Sequence, residues 1–196
     1  MRKREVRYCS YKVTGDEESR KVEGYALLFD TPSDRLEFEE TIERGALDGV
    51  LENSDVFALL NHDASRGILA RWNKKKISLN LQVDEKGLKY SFEAPRTALG
   101  DELLENIRRG EVSESSFAFV VEEDTLEERN NKWYRRIHKF GQLFDVSPVY
   151  SAAYSKTEVY MRSQEDSIRE VRERIEAEKQ KKLDQEVSKI EELFNI

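Results

Sequence analysis

One cysteine, Cys9, and two histidines, His62 and His138, are all that 196 residues hold of the usual soft and nitrogen metal ligands. A lone thiol forms no intramolecular disulfide, and two distant histidines without a cysteine cluster make no recognisable ligand set, so neither a metal nor a cofactor is expected. Long apolar runs are also missing. None approaches the roughly 20 residues that a bilayer-spanning helix needs. The opening MRKREVRYCSYKV is basic but has no apolar stretch of the kind a secretory signal carries. A surplus of positive charge is absent too: the net charge is -7, which disfavours sequence-independent binding to nucleic acid. These absences describe a protein made and used inside a cell, neither secreted nor held in a membrane.

What is present is uneven. The chain is 38% hydrophobic and 37% charged, and the charge gathers at one end. Up to about Arg162 the sequence is aromatic-rich, alternates with period 2 and is broken by turn residues. From Gln164 to Ile196 it contains no Gly, Pro, Trp or Tyr, and just over half of its residues are charged. The division falls near Ser163, giving a core-bearing domain at 1–163 and a tail at 164–196.

In the first part, Ile77, Leu79, Leu81 and Val83 alternate with polar residues, Asp84–Gly87 offers a turn, and Leu88, Tyr90, Phe92 and Ala94 resume the alternation. That predicts a β-hairpin. Val22–Asp30, Asp55–Asn61, Ser113–Val121 and Lys132–Val149 also read as strands, the last breaking near Gly141. Helices are predicted near Ala46–Leu51 and over Thr97–Arg108, where Leu99, Leu103, Leu104 and Ile107 share a face. Many strands and few helices suggest a mainly β, α+β domain: a closed or nearly closed barrel with peripheral helices. In the tail, Ile168, Val171, Ile175, Leu183, Val187, Ile190 and Phe194 form a narrow, heptad-like stripe. It reads either as a solvated or disordered single segment, or as a charged amphipathic helix for coiled-coil docking.

Two histidines make the choice of a general base short. His62 ends the apolar run FALLNHD, and alternation puts it on the face of Val56, Ala58 and Leu60. His138 lies among cations in WYRRIHKF and reads as an exposed strand histidine. In VSESSFAF, Ser116 shares parity with Ala118 and Val120, whereas Ser115 lines up with Phe117 and Phe119. A nucleophile needs small neighbours so that a substrate backbone can approach, which favours Ser116. Asp145, on a face with Ser147 and Val149 in LFDVSPVY, is a carboxylate in apolar surroundings, costly unless hydrogen-bonded. A histidine N–H would suit it. Asp63 is the weaker candidate, since adjacent strand residues point to opposite faces.

Five segments in order resemble the prohead maturation proteases of tailed phages: GYALLFDTPS, FEETIERGAL, LLNHD, GEVSESSFAF and LFDVSPVYSAAY. The resemblance runs from about Val22 to Arg162. It implies a fold related to the herpesvirus assembly proteases and a serine endopeptidase in which His62 is the base, Ser116 the nucleophile and Asp145 the third member. At the positions where the family often has glycine and small residues, this chain has Glu114, Ser115 and Ala118. The resemblance further implies action inside the assembling prohead in the host cytoplasm. Its implied substrates are the scaffold, or the scaffold-like extension of the major capsid protein, and the protease itself. By analogy with the herpesvirus enzymes it implies a homodimer. Backbone N–H groups would form the oxyanion hole, with Arg108 and Arg109 either assisting or serving as surface cations. The tail would dock the enzyme to the shell and be removed by self-cleavage near Ser163. Rival readings are a scaffold or capsid-assembly protein that keeps the fold without chemistry, and a cysteine hydrolase using Cys9, which packs more naturally as a small apolar residue.

Overall fold

In the computed structural model, residues 4–10, 12–33, 36–75, 77–150 and 158–194 are described, the last stretch with side chains over 168–190. Residues 151–154, which end the LFDVSPVYSAAY segment, lie outside the described residues. Ser163 and Phe194 are described as backbone only.

Alternation builds two sheets. The first joins β1 (Glu5–Cys9), β9 (Val112–Arg129), β10 (Lys132–Tyr150), β5 (Val56–Ala58) and β6 (Ala70–Trp72) in that order, with β4 (Glu39–Ile42) also paired to β10. β4 and β5 run parallel to β10, and the remaining pairs are antiparallel, so the sheet is mixed. The second is antiparallel, ordered β2 (Thr14–Gly15), β3 (Lys21–Leu28), β8 (Gly87–Glu93) and β7 (Leu79–Val83). The β7–β8 hairpin pairs Leu79 with Phe92, Leu81 with Tyr90 and Val83 with Leu88, so the two alternating rows of the expected hairpin lie side by side.

The expected closed or nearly closed barrel is not formed. Closure requires edge strands to exchange a ladder. Here the two sheets face each other across a common core, and among the described residues β6 and the run into β7 are joined by the isolated bridge Trp72 to Ile77. Phe117, Phe119 and Phe140 stack with ring centroids 4.5–6.1 Å apart. They pack with Leu143 and Val146 against Val22, Leu79, Leu88 and Tyr90 of the second sheet. β10 does not break at Gly141 as expected; it runs on, and the ladder slips register between Phe140 and Gln142, a bulge that absorbs the bend within one strand. The helix expected near Ala46–Leu51 is a run of turns with a short 3-10 segment at Leu51–Asn53.

Helix α1 (Ala98–Arg109) follows the predicted face: Leu103 and Leu104 are buried. Thr97 caps its start by accepting from the Gly100 N–H, and Gly110, at φ 78°, ends it with backbone N–H bonds to the last carbonyls. Helix α2 (Glu158–Phe194) divides in two. Ile168, Val171 and Ile175 pack against Phe38 and Trp133 in a second small core. Leu183, Val187 and Ile190 are about half exposed.

Beneath this second core lies a cluster of charges taken out of water. Arg7 of β1 contacts Glu5 and Glu40 at 2.6 Å. Arg135 of β10 contacts Glu5 at 2.6 Å, Glu40 at 2.9 Å and Asp124 at 2.7 Å. Arg174 of α2 meets the same Asp124 oxygen at 2.7 Å. In these contacts three acids, Glu5, Glu40 and Asp124, meet three arginines. Burial pushes the Glu40 carboxyl up, and Arg7 and Arg135 outweigh it, holding the group below its ordinary value. At Asp124 burial is likewise outweighed, by Arg174 and Arg135. The network fastens β1, β4, β9, β10 and α2 together.

Candidate active site

The outer face of the first sheet carries the site, and three elements assemble it. β9 presents Ser116, whose ladder partners are Tyr8 on β1 and Ser147 on β10. β10 presents Asp145, paired with Ala118 on one side and Phe57 of β5 on the other. The chain leaving β5 follows β10, and the Asn61 N–H reaches the Pro148 carbonyl at 3.0 Å.

There the chain reverses. Asn61 and His62 have φ of 55° and 61°, and the Asp63 N–H donates to the Leu60 carbonyl at 3.1 Å. This is a type I′ turn, with both central residues left-handed. His62 therefore does not sit at a strand end, as alternation suggested, because β5 stops at Ala58. The turn aims the imidazole. Asparagine tolerates this conformation and histidine does so at some cost, so local strain is concentrated at this residue.

The imidazole stands between the other two groups. His62 Nε2 is 2.5 Å from Ser116 Oγ, and His62 Nδ1 is 2.5 Å from Asp145 Oδ1. Ser147 Oγ donates to the same Asp145 oxygen at 2.7 Å, and Arg4 Nη2 pairs with Asp145 Oδ2. Burial pushes the Asp145 carboxyl up, yet the contacts with His62, Ser147 and Arg4 outweigh it, and the group lies below its ordinary value. An anionic Asp145 facing Nδ1 selects the tautomer with the proton on Nδ1, which leaves Nε2 free to accept from Ser116. The Ser116 hydroxyl has a second acceptor, the Arg7 carbonyl oxygen at 2.8 Å, and only one proton to give. Ser116 is fully buried. Tyr8, directly across the ladder from it, stands edge-on to the imidazole with centroids 6.4 Å apart.

The remaining candidates fall elsewhere. Ser115 points to the opposite face, where its hydroxyl meets Tyr90 Oη at 2.9 Å inside the core; burial pushes that phenol up. Asp63 caps the turn at Ser65 and takes no part with His62. Arg108 and Arg109 lie on the surface, paired with Glu105 and Glu111. Cys9 is buried on β1. His138 has its own partners, Glu43 at 2.8 Å and Thr125 at 3.1 Å. Sequence reading passed over Arg4 and Arg7, and placed Ser147 on the Asp145 face without giving it a role.

Residues 9–174 match the family model of the caudovirus prohead serine proteases. The chain belongs to that family. Among solved structures, the bacteriophage T4 capsid assembly protease, gp21, superposes with a TM-score of 0.50 at 15% identity, covering 76% of this chain and 99% of that one. At that identity the likeness is one of fold. No curated protein matches the chain. Members of this prohead protease family act in capsid assembly. No helix among the described residues is long and apolar enough to cross a membrane.

Proposed function

We propose that this chain is a prohead maturation serine endopeptidase in which Ser116 attacks, His62 moves the proton and Asp145 holds the imidazole. The observation that carries the reading is the continuous hydroxyl–imidazole–carboxylate relay, with both contacts at 2.5 Å. His62 Nε2 takes the Ser116 proton as Oγ adds to the scissile carbonyl carbon. The resulting imidazolium returns that proton to the leaving amine, and an acyl-enzyme remains. Water, deprotonated by the same nitrogen, then releases the acyl group and restores Ser116. Asp145 supplies the fixed negative charge that the imidazolium needs, in a site where burial strengthens the interaction.

Because Ser116 is buried, its cover must move before a substrate carbonyl reaches it. Its neighbours on β1 are Tyr8, its ladder partner, and the Arg7 carbonyl that accepts from its hydroxyl.

The substrates fitting this reading are the scaffold or the scaffold-like extension of the major capsid protein, together with the chain itself. Residues 1–163 serve as the protease domain and 164–196 as a docking tail, whose distal apolar stripe at Leu183, Val187 and Ile190 is exposed for a partner. Self-cleavage near Ser163 requires α2 to unwind, since the helix spans that position; unchanged intact mass of active protein through assembly would count against it.

Co-expression with the capsid precursor tests the main reading. The wild-type chain is expected to shorten the precursor and Ser116→Ala to leave it full length. A precursor left full length by both would favour the rival role, a capsid-assembly protein that retains the fold without the chemistry.

A further inference from the structure

Besides His62 and Ser147, a third side chain reaches the Asp145 carboxylate. Arg4 immediately precedes β1, and its guanidinium pairs with Asp145 Oδ2 while His62 and Ser147 share Oδ1. Two features deliver it there. The guanidinium lies over the Phe144 ring, 4.9 Å from the centroid, and the next residue, Glu5, is locked into the buried ion network by Arg7 and Arg135. With Glu5 fixed beside Phe119 of β9, the backbone at residue 4 is held where its side chain reaches across β9 to Asp145 on β10.

We propose that Arg4 is a positioning residue of the active site: it holds the outer oxygen of Asp145 so that the inner oxygen faces His62, and it offsets part of the negative charge that stabilises the imidazolium. This inference rests on the reading of Ser116 as nucleophile. The charged groups meeting Asp145 are Arg4 from the β1 side and His62 from the turn. Tyr8 of β1 faces the imidazole, and Asp63, next to His62 in the chain, is turned to Ser65.

A cation on one carboxylate oxygen weakens the pull of the other on a neighbouring positive charge. Removing it leaves the full charge of Asp145 to the imidazolium, so the protonated, inactive form persists to higher pH. Arg4 is half exposed, and solvent screens the effect.

The test is the pH profile of kcat/KM for cleavage of the purified capsid precursor by the full-length chain, comparing wild type, Arg4→Met and Arg4→Lys. Methionine keeps an apolar stem over Phe144 without charge; lysine restores the charge. The acid limb should move up by about half a pH unit in Arg4→Met and stay near wild type in Arg4→Lys. A purely structural role would change the rate or the melting temperature and leave the limb in place. An unmoved limb in Arg4→Met, with wild type active, overturns the inference and spares the catalytic reading. A wild-type chain inactive at every pH overturns both.

Discussion

His62 and His138 each stand between a carboxylate and a hydroxyl. At the first, Asp145 and Ser116 are buried and the imidazole contacts both at 2.5 Å. At the second, Glu43 and Thr125 lie at 2.8 and 3.1 Å, Thr125 is exposed, and Arg136 donates to the other Glu43 oxygen at 3.1 Å. The hydrogen bond from His138 is the main reason the Glu43 carboxyl lies below its ordinary value; burial opposes it and Arg136 adds to it. The two sets have the same chemistry in different solvents. Two charges 4 Å apart interact by about 1 kcal/mol in water and about 4 kcal/mol at the effective dielectric of a protein surface. An acid, an imidazole and a hydroxyl in order are thus insufficient. What distinguishes the first set is a buried carboxylate and hydroxyl held on β10 and β9, whereas at the second the carboxylate is about one-third exposed and the hydroxyl exposed.

The comparison can be broken most severely at the imidazole itself. His62→Ala should lower precursor cleavage about 10⁴-fold or more, as loss of a triad base does elsewhere, measured by quantifying product bands over time. Next in size is the support under the first site. Arg135→Ala leaves Glu5, Glu40 and Asp124 without their shared cation, and should cost about 3–5 kcal/mol in denaturant unfolding. Acid probes the same support. Glu40, Asp124 and Asp145 all have depressed folded-state values, so their contribution is complete above the unfolded carboxylate range near pH 4 and is lost as pH falls through the folded values. The melting temperature should therefore drop steeply below about pH 4, and less steeply in Arg135→Ala. The turn comes third. Asn61→Val puts a β-branched residue at φ 55° and should destabilise by about 1–2 kcal/mol with a larger fall in activity than in stability. His138→Ala should change neither cleavage nor, by more than a few tenths of a kcal/mol, stability.

How much of this the sequence displayed depends on the range of the interaction. The β7–β8 hairpin and α1 were readable because alternation, a turn and an apolar helix face are local patterns. Ser116 and Ser115 separated by parity for the same reason. The barrel was misread because alternation tells which face of a strand is buried, and says nothing about whether distant edges meet. The ion network was invisible: Arg7 and Glu40 are 33 residues apart and Glu5 and Arg135 are 130 apart, and in a chain that is 37% charged such residues look like surface. The turn at His62 carried only Asn61 as a hint, since the usual glycine is absent. Arg4 left no signal at all, because its meaning depends on where β1 lies.

The central claim is that Ser116, and not its neighbour Ser115, is the hydroxyl activated by His62. Treating the full-length chain with an alkyl fluorophosphonate and mapping the adduct by peptide mass spectrometry tests it most directly. The account predicts an adduct on Ser116 in wild type and none in His62→Ala. An adduct on Ser115, or labelling of Ser116 that is indifferent to the loss of His62, would contradict it.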